Sequence, residues 1–381
     1  MRYAFWLSFT LIAYTYFGYP LLLAILGRLQ RGGRTPEGLH PGPRRVSVII
    51  AAYNEERHIR DKLQNVLGLD YAVDLLEVLV GSDGSTDRTN EIVLGCREPR
   101  VRLVAFRENR GKTAVQEACV AEAQGEILVF MDAASLCNRG ALREIVKHFS
   151  DERIGCVAGR VVYVATRGNL VEASQRLYWS YGTLLRHLEG GLGCLVGVDG
   201  PLYAIRRSAY VPVQPDIMSD FLSPLLIRSR GWKVVYEPAA IATEDMTQTD
   251  REEFRTRRRI VVRGLHSLSR YPHLLNICKH PLLAFQILSH KVLRWLTVVL
   301  LAGLMVSSVF GRGGMVRGVV LIAGVLCAVG FFVGLLLDSR GKTLRALAVP
   351  YYFVLGNIAA AAGIWDFLRG RIVVSWVPVR N

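Results

Sequence analysis

The sequence predicts an α/β fold: a mostly parallel sheet covered by helices, set between apolar terminal segments. Three observations carry that expectation. Residues 46–240 alternate short apolar runs with polar, helix-competent stretches, the succession that yields parallel strands and crossover helices. One run, LLEVLV (75–80), stops at Gly81 and passes through VGSDGSTDRT (80–89) into a helical pattern from Thr89, which leaves carboxylates at the carboxyl edge of a sheet. Long apolar stretches lie near both ends of the chain.

Composition agrees. The 381 residues are 51% hydrophobic, with mean hydropathy +0.26, enough for one sizeable soluble domain plus membrane spans. The net charge of +15 and pI of about 9.7 read as Lys and Arg gathered on a cytoplasmic face. No basic helix with interleaved aromatics occurs, so nucleic acid is not an expected partner. The seven cysteines are scattered and free of CxxC spacing, which fits a reducing compartment without disulfides or a zinc site.

Taken in order, residues 1–27 hold an apolar segment, Tyr3 to Leu26, too long for a signal peptide and lacking a small-residue cleavage site; it is expected to span a membrane. Residues 28–45 are basic and Gly/Pro-rich and read as a linker on the cytoplasmic side. The α/β domain is expected over 46–270, with strands at VSVIIA (46–51), LEVLVG (76–81), VRLVAF (101–106) and EILVFM (126–131). An amphipathic helix on the membrane surface follows at 271–294, then about three apolar segments within 295–368. Counting three spans puts the tail 369–381 outside, whereas its arginines favour the inside.

The candidate site gathers at the strand ends. Asp87 is placed to cap the helix after VGSDGSTDRT, while Asp83 on the turn can accept from a ligand N–H; alone, the stretch reads equally as a capped turn. VSVIIAAYNEERHI (46–59) brings Ala52, Tyr53 and Glu55 to the end of the first strand, where backbone and an aromatic wall suit a planar base. ENRGKTAVQEA (108–118) places Lys112 before a helix.

With these stretches together the chain resembles the membrane-bound family 2 glycosyltransferases that include cellulose, hyaluronan and poly-N-acetylglucosamine synthases. The similarity runs over nearly the whole chain: one leading span, a GT-A domain with its Rossmann-like sheet, an interfacial helix and several spans. The resemblance implies an integral protein of the inner or plasma membrane, with a cytoplasmic catalytic domain that moves a sugar from a UDP-sugar, with inversion, to a polysaccharide or lipid-linked acceptor. Partner subunits are not specified. By this resemblance Ala52, Tyr53, Glu55 and Asp83 contact the nucleotide, and Lys112 approaches the diphosphate, where a point charge suits phosphate. VFMDAAS (129–135) stands where the family carries Asp-x-Asp; Asp132 keeps the first position and Ala134 replaces the second. A hard cation, Mg²⁺ or Mn²⁺, often takes only one or two carboxylates, so Asp132 alone is the expected metal ligand. GVDGPLYAIRR (197–207) is similar to the acceptor-lining loop, giving Gly200 and Pro201 to the acceptor. The catalytic base falls on Asp220 in MSDFLSPLLIRSRGWKVVYEP (218–238), with Ser219 where the family has Glu. The literal Thr243-Glu244-Asp245 follows rather than precedes the strand KVVYEP and is set aside. The Gln-x-x-Arg-Trp motif of processive members is degraded in REEFRTRRRIVVRGLHSL (251–268), where Arg259 alone is kept, which leaves processivity open. Two alternatives stand beside this expectation: a lipid glycosyltransferase adding one sugar, and an inactive nucleotide-binding membrane scaffold.

Overall fold

The computed structural model describes residues 1–29, 42, 44–165, 168–247, 249–311, 314–340 and 342–371, apart from the Leu177 side chain. Most of the expected linker (30–41 and 43) and of the tail (372–381) lies outside the described residues. The described residues form two compact units, one built from Gly27–Val164 and Arg186–Asp245, the other from Met1–Leu26, Ala165–Leu185 and residues 246–371.

The first unit is built on one mixed sheet of β1 Val46–Ala52, β2 Leu76–Ser82, β3 Val101–Ala105, β4 Ile127–Asp132, β5 Leu136–Cys137, β6 Ile154–Val164, β7 Leu202–Arg206 and β8 Lys233–Asp245, in the order β3-β2-β1-β4-β7-β6-β8-β5. β3, β2, β1 and β4 are mutually parallel, as the alternating pattern predicts. β7 runs against both β4 and β6, so the sheet is mixed beyond its parallel half. β8 also extends past the expected KVVYEP, to Asp245, because its far end pairs with β5 and β6.

Successive residues on each parallel strand enter opposite cores. Val48, Ile50, Val80, Val129 and Met131 face one cluster, and Ile49, Leu79, Leu128 and Phe130 face the other. Burial on both faces is why these strands read as continuous apolar runs. At Gly81 a Cβ would lie 2.1 Å from a Val115 methyl and 2.8 Å from the Cys119 sulfur, so helix Lys112–Glu122 packs directly on β2. That close approach fixes the height at which Lys112 starts its helix.

An ion cluster braces the rear of this unit. Glu237 accepts from His148 at 2.7 Å and lies 2.9 Å from the Lys147 ammonium. Burial alone would raise Glu237, but His148, the Ala239 N–H and Lys147 outweigh it and bring its pKa from 4.5 to about 2. A carboxyl with a depressed folded pKa adds stability above its unfolded value and loses it as pH falls toward the folded one. Urea unfolding between pH 5 and 2 should therefore show stability falling on acidification, and Glu237→Gln should flatten that limb; an unchanged slope would remove the cluster from the account.

Among the described residues, three helical stretches are long and apolar enough to cross a membrane: Arg2–Leu29, Met315–Asp338 and Arg345–Leu368. Pro281–Trp295 and Thr297–Phe310, bent by 60° from one another, give a fourth only if counted together. Large apolar side chains such as Phe17, Leu21, Ile322 and Phe332 point outward. Asp366, an acid inside an apolar helix, is ion-paired with Arg258 and lies 3.4 Å from Arg371. In the degraded motif helix Asp250–Arg270, Arg257 is buried, bonds Glu253 at 2.6 Å and stacks 3.8 Å above the Tyr178 ring. Arg257 is thus committed inside the second unit, and the half-buried Arg258 is ion-paired within it.

Candidate active site

Parallel strands that start together end together. The register sets Ala52 beside Ser82 and Ala51 beside Asp132, so Ala52–Glu55, Asp83 and Asp132 emerge along one carboxyl edge. The turns there are laced to each other. Asn54, at φ 54°, takes a left-handed conformation that asparagine tolerates, and its Oδ1 accepts from the Thr86 N–H at 2.8 Å. Asp87 accepts from the Thr89 N–H and the Glu56 N–H, each at 3.0 Å, and so ties the start of the following helix to the end of β1. Tyr53 is half-buried; Glu55 is buried and contacts His58 at 2.8 Å.

Asp83 is wholly buried, and its two oxygens accept from the N–H groups of Arg110 at 2.7 Å and Gly111 at 2.9 Å. Burial raises its pKa against the pull of those two donors. The carboxylate expected to meet a ligand is therefore first the anchor of the ENRGK loop, although each oxygen keeps a second lone pair. Gly84 shares this duty: at φ 71°, a Cβ would come within 2.7 Å of the Glu108 backbone.

The loop so anchored presents Lys112, which is ion-paired with Asp132. Burial pushes Lys112 down, but the Asp132 and Asp220 carboxylates outweigh it, with Glu244 adding, and its pKa is raised. It is an ammonium throughout the neutral range.

Gly200 shows how closely these groups converge. A Cβ on Gly200 would lie 2.9 Å from Lys112 Nζ, 3.1 Å from Asp132 Oδ2 and 3.1 Å from Asp220 Oδ2. Three charged atoms surround one point, so any two are separated by at most about twice that distance. The reversed direction of β7 explains the meeting: antiparallel pairing of Leu202 with Met131 makes the start of β7 coincide with the end of β4. Gly200 and Pro201, just before β7, are both buried there.

Asp220 sits in the first turn of helix Ser219–Ser229. Pro224 lies four residues on and has no N–H to give the Asp220 carbonyl; the Val198 N–H donates to it instead, at 3.0 Å. The approach to Asp220 is tied to the Lys112 helix, with Thr113 Oγ1 donating to the Ile217 carbonyl and Ser219 Oγ to Gln116 Oε1, each at 2.7 Å. Asp199, to which the sequence gives no role, accepts from Arg186 at 2.6 Å and steadies the same loop.

Sequence reasoning missed Thr113 and Gln116, which carry no motif of their own, and Lys62, which has a signal. Ile59, Lys62, Leu63 and Val66 form one buried face of helix Ile59–Leu67, so a lysine occupies a core position of a regular apolar pattern. Thr243-Glu244-Asp245 ends β8, with Thr243 and Asp245 exposed and Glu244 half-buried within electrostatic reach of Lys62 and Lys112. Among the described residues no group of three or more His, Cys, Asp or Glu side chains could hold a metal ion. The hard oxygens of Asp132, with Asp220 close by, fit a cation whose remaining ligands come from a diphosphate and water.

Residues 47–210 match Glycosyl transferase family 2. The chain is 26% identical over 203 residues to a poly-beta-1,6-N-acetyl-D-glucosamine synthase of Staphylococcus aureus (strain N315), covering 51% of this chain and 48% of the relative. It is 28% identical over 231 residues to the probable glycosyltransferase YdaM of Bacillus subtilis (strain 168), covering 56% and 54%. The chain thus spans about half the length of the curated relatives it matches. Its fold superposes on that of the mannosyltransferase PcManGT from Pyrobaculum calidifontis, solved with GDP-Man and Mn²⁺, with a TM-score of 0.68 at 22% identity over 95% of this chain and 99% of that one. Residues 47–210 therefore match a family 2 glycosyltransferase domain, and the fold is GT-A-like.

Proposed function

We propose that this protein is a glycosyltransferase that moves a sugar from a UDP-sugar, with inversion, to a polysaccharide or lipid-linked acceptor at a membrane surface. The observation that carries the proposal is the convergence of Lys112, Asp132 and Asp220 over Gly200 at the carboxyl edge of the sheet. Ala52, Tyr53, Glu55 and Asp83 line the nucleotide end, and Lys112 meets the diphosphate as a fixed positive charge. Gly200 and Pro201 present bare backbone to the acceptor. Asp220 takes the proton of the acceptor hydroxyl as that oxygen bonds the anomeric carbon, and the bond from that carbon to UDP breaks on the opposite face. Asp132 would hold Mg²⁺ or Mn²⁺, which when bound neutralises charge on the departing diphosphate. The Mn²⁺ and GDP-Man held by PcManGT support a divalent cation and a nucleotide-sugar donor, and the name of the staphylococcal relative supports a polysaccharide product.

The basic residues after the first apolar helix support a cytoplasmic catalytic domain on the inner or plasma membrane. UDP or GDP release by the full chain in nanodiscs tests the proposal, with UDP-glucose, UDP-N-acetylglucosamine, UDP-galactose and GDP-mannose supplied with Mg²⁺, Mn²⁺ or EDTA. Turnover from one UDP-sugar, lost in EDTA, is the expected result. Turnover from GDP-mannose alone would replace the donor, and saturable UDP binding without turnover under any condition would favour the nucleotide-binding scaffold.

A further inference from the structure

Lys62 is a wholly buried lysine that the proposed chemistry does not use. Taking an ammonium out of water is costly unless its protons are bonded. Burial pushes its pKa down, against the opposing pull of Cys137, Asp132 and Glu244. An apolar side chain at this core position would avoid that cost, so the bonds Lys62 makes are the place to look for its use.

Those bonds all reach one residue. Lys62 Nζ donates to the Ser135 carbonyl at 2.7 Å and to Ser135 Oγ at 3.3 Å. Ser135 is also wholly buried, and its Oγ lies 2.9 Å from the Asp132 carbonyl and 3.2 Å from the Pro201 carbonyl. A hydroxyl has one proton; with Lys62 donating into its oxygen, that proton is directed at those two carbonyls. One turn along the helix, Asn65 exchanges two bonds with the backbone of Cys137, both at 2.8 Å. The helix therefore grips the turn after β4 at two points. Through Ser135 the first grip also reaches the loop that brings Gly200 against Asp132 and Asp220.

We infer that Lys62 is a positioning residue: through Ser135 it holds the Asp132 turn and the Gly200–Pro201 loop in register. What this register controls is whether the departing sugar meets an acceptor hydroxyl or water. The inference rests on the transferase reading for its catalytic consequence, and on geometry alone for its mechanical one.

Two measurements on the full chain in nanodiscs test it, using Lys62→Met, the milder Ser135→Ala, which leaves the Ser135 carbonyl to Lys62, and the double variant. Hydrogen–deuterium exchange needs no substrate. Both single variants should speed exchange in 132–137 and in 198–203 together; acceleration confined to 132–137 would overturn the inference. The second measurement is the ratio of sugar transferred to sugar hydrolysed, with UDP-N-acetylglucosamine and a β-1,6-linked N-acetylglucosamine tetramer. That ratio should fall about tenfold in each single variant and no further in the double, as for residues acting as one unit. An unchanged ratio in variants whose total UDP release has fallen marks Lys62 as merely structural. If the wild-type chain releases no nucleotide from any of the four donors, the transferase reading has failed, and the exchange data still decide whether Lys62 couples the two loops.

Discussion

Asp220→Asn should lower sugar transfer by about two to four orders of magnitude, the range in which a positioned general base contributes. The amide keeps the shape of the carboxylate and cannot take the acceptor proton. Its backbone is held independently of the side chain, since Val198 bonds the Asp220 carbonyl and Gln116 bonds the neighbouring Ser219. UDP affinity measured by calorimetry should therefore stay within about threefold of wild type while UDP release collapses, the pattern of an interaction made only in the transition state. Retained turnover would move the base to another carboxylate, and an equal loss of UDP affinity would make Asp220 part of the donor site instead.

Gly200→Ala should have the next largest effect, about a hundredfold loss of turnover with little loss of stability. The added methyl would enter the space between Lys112, Asp132 and Asp220, all three at 2.9–3.1 Å. Those atoms are the far ends of side chains rather than backbone, so they yield and the fold survives. Their mutual geometry does not survive, and a misplacement of about 1 Å at a reacting centre costs about a hundredfold. Turnover and thermal unfolding measured together check this: unaltered turnover would show that the gap above Gly200 is spare, and a large fall in melting temperature would make the glycine a packing requirement.

The parallel half of the fold was legible because its strands are buried on both faces and therefore read as unbroken apolar runs. Its ends were legible because Asp83, Lys112 and Asp132 stand where such runs meet turn residues. The reversal of β7 was not, since LYAIR has the same apolar pattern in either direction and direction is decided by its partners β4 and β6. Asp83 shows a second limit. Sequence places it at the edge, but only the fold shows its oxygens engaged by Arg110 and Gly111. The partners of Arg257 and Arg258 were not legible, because Glu253, Tyr178 and Asp366 lie one turn, about eighty and about a hundred residues away. Lys62 was visible as an anomaly in a helical pattern, but its partner Ser135 comes from a different strand end.

Pro224 has a mechanical consequence. By withholding the bond that would tie residue 224 to Asp220, the proline ring cuts the helix ladder at that carbonyl, and Val198 splices it to the loop ahead of Gly200. Asp220 belongs to the helix by its backbone angles and to the loop by its bonding. Fraying or tilting further along that helix is poorly transmitted to the carboxylate, whereas any shift of the loop carries the carboxylate with it.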